Sequence, residues 1–128
     1  MIQLDHSIVS SHHKAESARQ LAELLGVPWG VAPVGPFVAV YINEGLTLDF
    51  IDTDEDFPIQ HFCFRVSDAE FDAILGRLQE RGIPYRSDVR GPMNNQVGTH
   101  GGGRNLYWQV PDTHMWEILT VSYARQPA

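Results

Sequence analysis

Cysteine is all but missing from this chain of 128 residues: Cys63 stands alone. That excludes an internal disulfide framework and fits a reducing cytoplasm. Lysine is as scarce. Lys14 is the one lysine among nine basic residues, against sixteen acidic ones, and the formal net charge is −7. Phosphate backbones and anionic lipid surfaces need clustered cations, so this balance argues against both as partners. Long apolar runs are also lacking; residues 37–42 have the length of a strand and fall far short of a membrane span. No basic stretch leading into an apolar one opens the chain, so no secretion signal is expected. What the chain does have is 43% hydrophobic and 20% charged residues. That is enough to bury one core, in a single domain or in two very small units that share it.

Two helices announce themselves by their spacing. Ala18, Leu21, Ala22 and Leu25 fall on one face of a helix over 14–26, and Phe71, Ile74, Leu75 and Leu78 do the same over 68–82. Ser67-Asp68-Ala69-Glu70 is a capping box, in which serine and glutamate satisfy two orphan backbone donors. Both helices stop at a glycine followed by an apolar residue and a proline, Gly26-Val27-Pro28 and Gly82-Ile83-Pro84.

The same order of features occurs twice. A short apolar stretch containing a histidine precedes each helix, around His6 and around His61. The histidines stand 55 residues apart and the glycine stops 56 apart. Two patterns in register over that length read as an internal repeat. After the first helix come an apolar segment at 30–35, a strand over 37–42, a turn at Asn43-Glu44-Gly45 and a strand over 46–51. After the second come a strand over 85–89, a long polar loop, a strand over 105–110, a turn at Pro111-Asp112-Thr113 and a strand over 114–121. Each half therefore reads β-α-β-β-β. The expected organisation is one domain of two repeats, 1–52 and 58–122, joined by the acidic stretch 52–56. Its fold class is α+β, with the two modules side by side in a curled, mixed, eight-stranded sheet and the helices on its outer face.

The ends of the halves match as well. Laying residues 47–51 over 115–119 puts Asp49 on Glu117. An acid in the middle of an apolar strand is costly unless it is paired, hydrogen-bonded or bound to metal. Two such acids and two histidines at matched positions would converge if the repeats are related by a twofold axis. Two imidazoles with one or two carboxylates suit a divalent first-row metal with positions left open for water or substrate.

With Leu4-Asp5-His6, Gln60-His61-Phe62 and the run from Leu106 to Glu117, the chain resembles the vicinal oxygen chelate superfamily. That superfamily groups glyoxalase I, fosfomycin-resistance transferases, bleomycin-resistance proteins and extradiol dioxygenases. The resemblance implies a glyoxalase-like fold and a homodimer, often with modules from different chains facing each other across the site. It implies His6, His61 and Glu117 as metal ligands and one divalent ion per site, Fe2+, Mn2+, Zn2+, Ni2+ or Co2+. Asp49 falls where the glyoxalases supply a fourth ligand; being one methylene shorter than glutamate, it is expected either to coordinate through water or to act only as a catalytic base. Tyr107 falls on the substrate-binding tyrosine of the fosfomycin transferases. Ile8 stands where those carry a threonine, and Lys14, on the first helix, does not supply their lysine.

The long loop over 88–104 reads as a lid, because loops of that length in a compact domain usually serve function. In it, His100 is the candidate proton shuttle and Arg104 the partner for an anionic substrate. At least two of Trp29, Trp108 and Trp116 are expected in the core, and Trp108 is the one assigned to the substrate. Cys63 shares a strand face with His61 but is read as a small hydrophobe. His12, His13 and His114 are read as surface or structural residues. The expected function is a metal-dependent enzyme that chelates vicinal oxygens of a small molecule and stabilises an enolate or oxyanion. Lyase or isomerase chemistry is favoured over oxygen insertion, because a second carboxylate stands near the proposed metal. The alternative is a metal-free dimer that sequesters an aromatic or antibiotic ligand.

Overall fold

The computed structural model describes residues 1–125. The chain divides into two compact units, 1–58 and 59–128, each with its own sheet.

In the first unit, β1 (His6–Ser11) leads into α1 (Lys14–Leu25), followed by β2 (Trp29–Val31), β3 (Val38–Asn43) and β4 (Leu46–Asp52). The sheet order is β1-β4-β3-β2, with β1 parallel to β4 and the other pairs antiparallel. Helix α1 packs on β3 and β4. Its stop is the expected one: Gly26 is left-handed, at φ 74°, and its N–H donates to the Ala22 carbonyl. Its start borrows from neighbours, since His13 offers no side-chain cap. The Lys14 N–H donates instead to the Asp52 carboxylate at 2.7 Å, and the His13 N–H donates to the Ser11 hydroxyl. The β3–β4 turn is held by Asn43, whose side-chain oxygen accepts from the Gly45 N–H.

The second unit runs β5 (His61–Arg65), α2 (Asp68–Glu80), a 3-10 turn (His100–Gly102), β6 (Asn105–Trp108) and β7 (Met115–Leu119). Its sheet order is β5-β7-β6, with β5 parallel to β7 and β6 antiparallel to it. Both halves of the Ser67/Glu70 capping box are made. Phe71, Ile74 and Leu78 of α2 are buried, as are Leu106, Trp108, Trp116 and Ile118. Trp116 stacks on Phe62 and Phe64.

The architecture is α+β, in two small mixed sheets of four and three strands. The two parallel ladders share a register. In the first unit His6 pairs with Thr47 and Ile8 with Asp49; in the second, His61 pairs with Met115 and Cys63 with Glu117. Each histidine thus stands two residues ahead of the residue facing the acid. One expected strand is missing. Over 85–89 there is a single bridge, Arg86 with Tyr107. Asparagines from the loop take the neighbouring backbone donors: the Tyr85 N–H donates to Asn95 Oδ1 and the Ser87 N–H to Asn94 Oδ1. Those two donors face away from β6. The ladder stops because Gly98 already bonds both backbone groups of Asn105, the position Asp88 would need, and Pro84 has no N–H to give on the other side. Among the described residues no helix is long and apolar enough to cross a membrane.

Candidate metal centre

Alternation along a strand decides what reaches the open face of the second sheet. His61 and Cys63 on β5, Glu117 on β7 and Tyr107 on β6 share that face through the pairs Cys63–Glu117 and Tyr107–Glu117. Glu117 is fully buried, at 0% exposure. Its carboxylate accepts from His61 Nε2 at 3.0 Å and from the Tyr123 hydroxyl at 2.7 Å to Oε1 and 2.8 Å to Oε2. The Tyr107 hydroxyl lies 3.3 Å from that of Tyr123. A buried carboxylate without partners costs several kcal/mol on general grounds, so these contacts are what hold it there.

A cavity of about 780 Å³ opens on this face, lined by His61, Cys63, Glu117, Leu119, Tyr123 and Arg125 among others. Its chemistry is one-sided. Burial, then the Glu117 charge, pushes the Cys63 thiol up to about 12, so it is no thiolate nucleophile at neutral pH. Burial likewise raises both tyrosine hydroxyls, with the Glu117 charge adding to each, and they remain proton donors.

In the first unit, His6 Nδ1 lies 2.7 Å from Asp5 Oδ2. That hydrogen bond first, the Asp5 charge second and the Asp49 charge last raise the imidazole above its ordinary value. Asp5, His6 and Asp49 line a smaller cavity together with Phe37, Tyr41 and Thr47. Each unit thus brings one expected histidine to one expected acid. Among the described residues, no group of three or more His, Cys, Asp or Glu side chains is gathered that could hold a metal ion.

The pair in the second unit nonetheless fits a cation. Nitrogen and oxygen donors about 2.1 Å from one ion, at right angles to each other, lie about 3.0 Å apart. That is the separation of His61 Nε2 and Glu117 Oε1. The donor types, imidazole and carboxylate, suit divalent first-row metals.

Three expectations change. Trp108 does not face the substrate side. It follows Tyr107 on β6 and so points to the opposite face, where it is fully buried opposite Trp116 in the ladder. Arg104 is not free for an anionic substrate, because its guanidinium binds Asp72 at 2.7 Å and Asp68 at 3.0 Å and lies 4.4 Å above the Phe71 ring. The 88–104 loop is anchored: Arg86 donates to the carbonyls of Asp88, Val89 and Gly91. His100 in that loop pairs with Asp88 at 3.2 Å and meets the Tyr123 ring edge-on at 6.3 Å. His114 is structural, as expected: it is buried and accepts from the Gln60 N–H. Tyr123 is the functional residue that sequence reasoning missed. It lies beyond the last strand, where no periodicity marks it.

Two βα-containing units with a histidine and an acid in matched ladder positions define a glyoxalase-like α+β protein. No family model matches the chain. A stretch of 60 residues, 47% of this chain, is 33% identical to the fosfomycin resistance protein FosX of Mesorhizobium japonicum, of which it covers 38%. The structure of the oxidase ChaP-H2 is 39% identical, with a TM-score of 0.89 and 96% of each chain covered. A glyoxalase/dioxygenase from Nostoc punctiforme shares the fold at 19% identity, with a TM-score of 0.69 over 94% of this chain and 91% of that one. The chain belongs to the vicinal oxygen chelate superfamily.

Proposed function

We propose that this chain is a metal-dependent oxidase acting on a small oxygenated molecule, with dioxygen as the oxidant. The observation that carries the metal site is the 3.0 Å pairing of His61 Nε2 with the fully buried Glu117 carboxylate. Likeness to the oxidase ChaP-H2 over nearly the whole chain supports oxidation over the lyase or isomerase chemistry favoured by the second carboxylate.

His61 and Glu117 hold the ion, with His6 of a first unit, from this chain or from a second copy in a homodimer, as third ligand. The contact of His6 Nδ1 with Asp5 leaves Nε2 as the ligating nitrogen. A divalent ion bound there supplies Lewis acidity toward adjacent oxygens of the substrate. Tyr107 shares the sheet face of Glu117, buried behind the Tyr123 hydroxyl, and its phenol is the donor for a substrate oxygen that reaches it. Asp49, beside His6, is the acceptor for a substrate proton. His100 exchanges protons with solvent from the loop, its side chain being 44% exposed. Leu119 and Val121 give the cavity an apolar wall for the body of the substrate.

The test is elemental analysis of protein purified without added ions, then dioxygen uptake with catechol, α-ketoaldehyde and epoxide substrates after loading with each candidate ion. One equivalent of metal per chain, lost in His61→Ala and Glu117→Ala, with dioxygen consumed on a catechol-type substrate, is the expected result. Turnover of the α-ketoaldehyde without dioxygen consumption restores the isomerase reading. Absence of metal under every loading condition overturns the enzyme and favours a ligand-sequestering protein.

A further inference from the structure

The segment after β7 is built to reach Glu117. The Thr120 hydroxyl accepts from the Arg104 N–H at 2.9 Å, which fixes where the chain leaves the sheet. Beyond it, residues 121–123 run close over Gly101 and Gly103 of the loop. A Cβ on Gly103 would stand 2.5 Å from the Thr120 hydroxyl and 2.8 Å from Val121 Cγ2. One on Gly101 would stand 3.2 Å from the Val121 carbonyl and from Tyr123 Cβ, at a φ of +73°. Gly101 and Gly103 are therefore a bed for this segment, and what the bed delivers is the Tyr123 hydroxyl, nearly equidistant from the two oxygens of Glu117.

We propose that Tyr123 is a positioning residue for the metal ligand Glu117, seated by Gly101 and Gly103, and that it holds the carboxylate so that one oxygen faces His61. This rests on the reading of His61 and Glu117 as metal ligands. With Oε1 turned toward a cation, the second oxygen, 2.8 Å from the same hydroxyl, would stay available to the phenol. The Tyr123 O–H would then donate to Oε2 and hold the carboxylate in one orientation. Groups that orient ligands in this way are typically worth about 10- to 100-fold in metal affinity. Tyr107, 3.3 Å away, supports the Tyr123 hydroxyl.

The experiment is a titration of metal-free protein with Co2+, followed both by calorimetry and by the visible absorption of the bound ion. Tyr123→Phe keeps the ring and removes the donor; it is expected to bind Co2+ about 10-fold more weakly or worse and to shift the absorption band. Gly103→Ala, which lifts the segment from its bed, is expected to weaken binding in the same direction. Wild-type protein that takes up no Co2+ overturns the metal reading and this inference together. Wild-type binding with equal or tighter binding in Tyr123→Phe overturns this inference alone. A purely structural role would lower the melting temperature of Tyr123→Phe and leave affinity and spectrum unchanged.

Discussion

Tyr107 lies directly opposite Glu117 in the β6–β7 ladder, so phenol and carboxylate share one face of the second sheet. Trp108, the next residue, pairs with Trp116 on the other face. One step along a strand separates the cavity side from the core.

That separation is measurable. Trp108→Ala is expected to cost about 3–5 kcal/mol in chemical denaturation, as for a buried aromatic, and Trp108→Phe much less. The indole N–H has no hydrogen-bond partner to forfeit. Co2+ affinity in the phenylalanine variant should match the wild type. A variant that folds normally but loses ligand binding would return Trp108 to the substrate.

Arg104 offers the converse case. Its partners Asp68 and Asp72 are largely exposed, so their ion pairs contribute little, and the stacking on Phe71 adds a share of its own. Arg104→Met should lower stability by about 1 kcal/mol and leave KM unchanged for any substrate found. A large rise in KM for an anionic substrate would contradict this placement.

Capping of α2 gives a pH signature. The backbone N–H of Ser67 donates to Glu70 and holds its carboxyl below the usual carboxylate range. A depressed folded-state value means the contribution is present above the unfolded value, near 4.5, and fades as pH falls through the folded one. Glu70→Ala, which removes the carboxylate and leaves the Ser67 hydroxyl cap, should cost about 0.5 kcal/mol at pH 7. Urea melts at pH 7 and pH 3 should show the gap between wild type and variant narrowing in acid. A gap that widens in acid would mean the box does not form in solution.

Much of this was legible from spacing alone. Both helices, the Ser67/Glu70 box, the Gly26 stop and the Asn43–Gly45 turn follow from local rules that depend on few neighbours. The match of Asp49 with Glu117 was visible because duplication writes the same ladder twice. The strand expected over 85–89 failed because Gly98, distant in the pattern, takes the backbone groups of Asn105 that Asp88 would need, and Pro84 has no N–H to extend the ladder the other way. Naming both Tyr107 and Trp108 as site residues overlooked the twofold alternation that their adjacency already implied. The use of Gly101 and Gly103 is steric, and only the path of residues 121–123 reveals it. Tyr123 and Arg104 could not be placed without tertiary contacts.

The grip of Arg86 on three carbonyls of its own loop has a further consequence. One guanidinium turns residues 88–91 into a clamped hook, whereas residues 92–93 lie just outside that grip. Insertions at 92–93 should be tolerated with the hook intact, while loss of the one cation should release the whole stretch to proteases. Diversification of the loop and its integrity are thus governed at separate addresses in the chain.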